Sequence, residues 1–260
     1  CILKSNGKNQ MKQTGIKFPE NGEIFDKTEK IAAFREKYLP VWVILPLISI
    51  FVLNCLIYWG SGVLTADRYH FDFTMSLDRA VPLIPQFIWI YILAFPFWAV
   101  NYILAAQRGK DGFYRFVATD LTVHITCFII FSGFANTNVR PEIAGTTWSQ
   151  QMLKFVYLRM VETVRLTYFR QSIVISWLSW RGVSKSENIP KWYQHFSLIF
   201  AILIIISTQV LKQHYLVDAI AGVALVELGG DFTAKETATR YSDIFFEKIS
   251  EACSRWVNKN

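Results

Sequence analysis

The sequence predicts an all-α integral membrane protein, a bundle of six spanning helices. Three observations carry that expectation. Of its 260 residues, 52% are hydrophobic and 16% aromatic, and the mean hydropathy is +0.26, too apolar for an ordinary soluble domain. The apolar residues also fall in blocks, and a helical crossing needs about 20 of them. Finally, the net charge of +7 sits mostly in the connections between blocks and at the N-terminus. The positive-inside rule explains that placement, and a nucleic-acid partner does not.

Residues 1–38 are polar and hold Lys4, Lys8, Lys12, Lys17, Lys27, Lys30 and Lys37, which reads as a basic cytoplasmic tail. Cys1 is not an initiator residue, and Met11 is a candidate start. No cleavable signal peptide is expected ahead of the first apolar run. The transmembrane domain is expected over 39–229. Its first span is Leu39 to Trp59, with Trp42 and Trp59 as interfacial anchors. A polar, aromatic stretch follows, and Pro82 and Pro85 break any helix before the second span, Phe87 to Ala106.

The third span, Phe116 to Phe134, contains Asp120 and His124, four residues apart and so on one helix face. They read as an internal polar pair rather than as a proton relay, since nothing else in the segment supports a relay. The fourth apolar piece, Ile173 to Trp180, is short. Phe196 to Leu211 and Tyr215 to Leu228 complete the count, and 230–260 form a second tail of mixed charge. Cys1, Cys55, Cys127 and Cys253 show no paired spacing, so neither a disulfide framework nor a zinc site is expected.

Loop charge gives the topology. The N-terminus, the 107–115 loop and the 181–193 loop are basic and are expected inside. The 60–85, 135–170 and 211–214 connections then face outward, with both termini cytoplasmic. Arg140, the segment before Ile173, and His214 therefore converge on the outer face.

One stretch stands out against this plan. Ser207-Thr208-Gln209-Val210-Leu211-Lys212-Gln213-His214-Tyr215-Leu216-Val217-Asp218 places a serine, a lysine, a histidine and an aspartate between two apolar runs. Ionisable groups in such a position mark a used site. His214 and Asp218 are one turn apart, which suits a carboxylate orienting an imidazole. The pattern Ser-x6-His-x3-Asp resembles the third signature of the type-2 phosphatidic acid phosphatase superfamily, membrane lipid phosphatases and phosphotransferases with a six-helix bundle. Lys212-Gln213-His214-Tyr215 resembles the branch related to inositol-phosphorylceramide synthases. Over about Asp78 to Gly222 the resemblance adds Arg140-Pro141, which matches the Arg-Pro that ends the first signature.

The resemblance implies a phosphohistidine mechanism without metal or other cofactor. His214 would attack phosphorus, Asp218 would orient its ring, and Arg140, Ser207 and Lys212 would hold the phosphoryl oxygens. The substrate would be a lipid phosphate or polyprenyl phosphate in the bilayer. The chain departs from the pattern in three places. Thr208 stands where an arginine is usual, and Gly133 where the first signature has a lysine. The second signature, Pro-Ser-x-His, whose histidine protonates the leaving group, is missing.

Its expected location reads Thr167-Tyr168-Phe169-Arg170-Gln171-Ser172-Ile173-Val174. A family-like peptide, Asn-Leu-Phe-Pro-Ser-Ile-His-Cys, can be encoded as AAC TTA TTT CCG TCA ATC CAT TGT. Read one base later, that string gives Thr-Tyr-Phe-Arg-Gln-Ser-Ile-Val, the residues found. Leu158 to Val174 are thus expected to come from a shifted frame between two compensating indels. The competing expectation is a pseudoenzyme that lost its general acid and only binds lipid phosphates or partners. In both cases this chain is expected to be a poor catalyst.

Overall fold

The computed structural model describes residues 30, 36–65, 67–134, 136–137, 140–163, 171–233, 244–245, 247–249, 251 and 255. The chain divides into Cys1–Pro40 and Val41–Asn260. In the first unit Lys37 Nζ lies 5.1 Å from the centre of the Tyr38 ring. The second unit is mostly helical.

Its long helices are α1 (Val41–Thr65), α3 (Ile88–Leu104), α4 (Gly109–Gly133), α5 (Trp148–Thr163), α6 (Gln171–Val183), α7 (Lys191–Val210) and α8 (Leu216–Thr233). A short helix, α2 (Ser76–Ala80), and 3-10 turns at Pro85–Phe87 and Ala105–Arg108 join them. The only pairing of strands among the described residues is parallel, between β1 (Phe71–Asp72) and β2 (Asn136–Thr137). It ties the connection after α1 to the connection after α4.

Among the described residues, three stretches are long and apolar enough to cross a membrane: Val41–Thr65, Pro85–Ile130 and Lys191–Val210. The second holds two helices. Gly109, at φ +79, breaks the run where a side chain would be strained. Tyr102 and Asp120, 18 residues apart, meet at 2.5 Å, whereas a straight helix would separate them by roughly 27 Å. The chain therefore reverses direction between α3 and α4.

α7 exposes Phe196, Ile199, Ile202 and Ile206, and α1 exposes Ile48, Phe51, Val52, Leu56 and Val63. Such continuous apolar stripes suit lipid rather than water. Buried polar groups pair across an otherwise apolar interior: Trp98 Nε1 donates to Ser176 Oγ at 2.9 Å, and Ser197 Oγ to Asn101 Oδ1 at 3.1 Å. Interhelical hydrogen bonds and small residues are how helices associate where the surroundings are as apolar as leucine. At Gly222, a β-carbon would stand 2.9 Å from Ile173 Cγ2, so α8 meets α6 closely there.

The connections sort into two ends. At one, Ile84 N donates to Val210 O at 3.1 Å, Tyr157 Oη to Leu211 O at 2.6 Å, and β1 pairs with β2. The 60–85, 135–170 and 211–214 connections thus meet. At the other, Ser186 Oγ and Asn188 Nδ2 donate to Gln107 O at 3.1 and 2.8 Å.

Several helices overrun the expected spans, most clearly α4, which starts at Gly109 rather than Phe116, while α3 falls within its own. α5 is an additional helix, lying within what reads in sequence as an outer connection. Of the stretch Leu158 to Val174, residues 164–170 lie outside the described residues. Ser172, Ile173 and Val174 are buried at the start of α6.

Candidate functional site

The turn between α7 and α8 is built by backbone bonds before any chemistry is added. Gln213 N and His214 N both donate to Thr208 O, at 2.8 and 3.3 Å. Lys212 takes a left-handed φ of 52, the conformation in which helices commonly end. That reversal lets α8 begin two residues after His214.

Two carboxylates cap the new helix. Asp218 Oδ2 accepts from Tyr215 N at 3.1 Å, and Asp78 Oδ1 accepts from Leu216 N at 2.7 Å. Both satisfy amides that have no partner within the helix, at its positive end. Asp78 also accepts from Met75 N at 2.8 Å, so it fixes α2 and α8 together. Lys212 returns the contact, donating from Nζ to Asp78 O at 2.6 Å and also to Val81 O. The 71–84 segment therefore clasps the turn. Tyr215 Oη adds a bond to Asp72 Oδ1 at 3.3 Å and accepts one from Thr74 Oγ1 at 3.1 Å.

His214 sits inside this clasp, 3% exposed. Its Nδ1 stands 3.6 Å from Asp218 Oδ2, beyond ordinary hydrogen-bonding distance. Neither ring nitrogen has a hydrogen-bond partner among the described residues. A buried polar group left so is costly and asks for an explanation. His214 lines a cavity of about 410 Å3 together with Asp72, Asp78, Lys212, Tyr215 and Pro141.

Arg140 reaches the same end differently. Its guanidinium lies 5.0 Å from the centre of the Tyr157 ring, and it lines a neighbouring recess that shares Pro141 with the His214 cavity. Burial lowers the Arg140 guanidinium from its usual range, against the pull of Tyr157 and Tyr91. Arginine keeps its charge through such shifts. Burial likewise pushes the Tyr157 hydroxyl up to about 12, which leaves it a neutral donor. At the cavity rim, Asp72 is held below the usual carboxylate range, first by the Thr74 hydroxyl and then by the Thr74 amide.

Of the sequence candidates, His214, Asp218 and Lys212 are gathered at one turn, and Arg140 is brought beside them through Pro141. Ser207 is buried, and its Oγ donates to Ile204 O at 2.6 Å within its own helix. Asp72, Thr74, Asp78 and Tyr157 have no sequence signal, because each joins the turn by a contact far along the chain. The Asp120–His124 pair lies elsewhere, fully buried, with His124 Nδ1 3.1 Å from Asp120 Oδ1. Tyr102 completes it as an interhelical polar cluster.

No protein-family model matches the chain, and no curated protein matches its sequence. The family resemblance therefore rests on the motif residues themselves.

Proposed function

We propose that the chain is a multi-pass membrane phosphatase or phosphotransferase of the lipid-phosphate class, impaired by its altered second signature. The proposed arrangement is a six-span bundle of the type-2 phosphatidic acid phosphatase kind in the cell membrane. Both termini are cytoplasmic, and the His214 cavity opens at the outer face. The observation that carries this reading is the buried, unpartnered imidazole of His214, one turn from a carboxylate, in a residue that lines a cavity.

With Asp218 beside Nδ1, the free nucleophile is Nε2. Its lone pair forms an N–P bond while the P–O bond to the lipid alcohol breaks. The departing alkoxide needs a proton. Water or an alcohol then attacks phosphorus, the N–P bond breaks, and phosphate or a new ester leaves. Arg140 and Lys212 counter the charge on the phosphoryl oxygens. Lys212 does so while its Nζ also donates to Asp78 O and Val81 O.

The missing donor has a definable place. In the family-like peptide the histidine falls at position 173, against Gly222 and one turn along α8 from Asp218. Replacing residues 167–174 with Asn-Leu-Phe-Pro-Ser-Ile-His-Cys should raise phosphate release by about 10²–10⁴-fold, the usual worth of a general acid. Phosphate release from phosphatidate and from a polyprenyl diphosphate, with and without an added alcohol acceptor, measures this and separates hydrolysis from transfer. Strong turnover by the unaltered chain contradicts the impairment. No gain on replacement contradicts the assignment of the missing acid. The source DNA across codons 157 to 176 tests its origin, since an intact frame encoding these residues excludes the compensating indels.

A second reading is a non-catalytic protein that binds lipid phosphates. The 3.6 Å gap between His214 and Asp218 and the use of Asp218 as a helix cap favour it. Binding of phosphatidate that survives His214→Ala, without turnover in the repaired chain, selects this reading.

A further inference from the structure

The end of the bundle away from His214 holds a second recess, of about 230 Å3, whose charged lining is mostly cationic. Arg108, Arg115, Arg181 and Lys185 line it, with Asp231 as the one carboxylate among the lining residues. They come from four places in the chain: the turn after α3, the second turn of α4, the end of α6 with its following turn, and the end of α8.

These cations are partly fixed in position. Arg108 Nη1 donates to Arg181 O at 3.3 Å. Arg181 Nε pairs with Glu227 Oε1 at 3.3 Å, and Trp177 Nε1 holds that same oxygen at 2.7 Å. Arg115 and Arg181 press on Arg108 with charge of its own sign. With Glu227 included, four cations face two carboxylates, an excess of two positive charges. A phosphate monoester carries roughly that charge with the opposite sign. The positive-inside tendency accounts for basic residues at this end. It does not account for three guanidiniums converging on one recess, where their repulsion would otherwise splay them toward water.

We propose that this recess binds a phosphate-bearing anion, supplied as the headgroup of an anionic lipid or as free phosphate. Guanidiniums match phosphate oxygens in geometry as well as charge, and basic pockets between membrane helices suit anionic headgroups. The site is independent of the His214 chemistry.

Native mass spectrometry of the purified chain in detergent tests it. Phosphatidate, phosphatidylcholine, and phosphatidate with excess inorganic phosphate are compared for the unaltered chain, Arg115→Gln, Arg108→Gln and His214→Ala. Arg115 is exposed, so Arg115→Gln removes charge without removing a packed side chain. The expected result is preference for phosphatidate, weakened about tenfold in each arginine variant and unchanged in His214→Ala. Displacement by inorganic phosphate shows that the free anion suffices. Resistance to it, with the arginine dependence kept, assigns the site to the lipid. Equal retention of phosphatidate by the unaltered chain and both arginine variants overturns the proposal, as does loss confined to His214→Ala.

Discussion

His214 and Asp218 face each other across the first turn of α8, with Nδ1 3.6 Å from Oδ2 and the imidazole fully enclosed. The carboxylate gives that same oxygen to Tyr215 N. It therefore holds the helix and lies ready for the ring, and a shift of about half an ångström completes the pair. Catalytic hydrogen bonds are often long without substrate and tighten when it binds.

The two duties of Asp218 separate by substitution. Asp218→Ala removes the cap and should cost about 1 kcal/mol of stability. Asp218→Asn keeps an oxygen for Tyr215 N and should cost little, while removing the charge that would support the imidazole. Thermal unfolding in detergent reads the difference. No loss in Asp218→Ala argues that the cap contributes nothing, and an equal loss in both variants argues that it needs the carboxylate charge.

Tyr157 and Arg140 also come apart. Tyr157→Phe leaves Leu211 O without its donor and should destabilise by about 1 kcal/mol. A ring remains under the guanidinium, so phosphate binding at this end should hold. Arg140→Gln should do the reverse, weakening phosphate binding about tenfold with a smaller effect on unfolding. Unfolding midpoints and phosphate titrations on both variants check the split.

Lys212 offers a test of backbone strain. Lys212→Ala loses both bonds to the 71–84 segment and keeps a side chain at φ 52. Lys212→Gly loses the same bonds and relieves the strain. Glycine should therefore be the milder replacement by about 1 kcal/mol, measured by unfolding of the two variants side by side. A milder alanine excludes the left-handed turn.

Asp72 predicts a local response to acid. Its folded value lies below its ordinary one, so its contribution is present above the usual carboxylate range. That contribution is lost as pH falls through the depressed value. Hydrogen exchange at the Thr74 amide, bonded to Asp72 Oδ1 at 2.9 Å, should accelerate there in excess of the intrinsic pH effect. Asp72→Asn should remove that pH dependence.

The apolar runs were legible because crossing a bilayer demands long uninterrupted stretches; α3 follows its run closely, and α1 and α7 contain most of theirs. α5 was missed because Lys154 and its other polar residues break the run. Its start carries a readable signal nonetheless. Thr147 and Gln150 form a capping box, with Gln150 N bonded to Thr147 Oγ1 at 3.3 Å and Thr147 N to Gln150 Oε1 at 3.1 Å. Leu153, Val156 and Tyr157 then share one face.

In the candidate site, the local part was readable: His214 and Asp218 belong to one helical turn. The clasp was not. Asp78 caps a helix 138 residues away, and no periodicity or spacing announces such a contact. The sequence also cast Lys212 as a phosphate ligand, while the folded chain gives its ammonium to two backbone carbonyls.

The most direct test is covalent. The chain with residues 167–174 replaced by Asn-Leu-Phe-Pro-Ser-Ile-His-Cys is incubated with phosphate-labelled phosphatidate and quenched in base, which preserves phosphohistidine. Label on the His214 peptide, absent from His214→Ala, is the result that a nucleophilic imidazole requires. Turnover with no label at His214, or label and turnover that persist in His214→Ala, contradicts it.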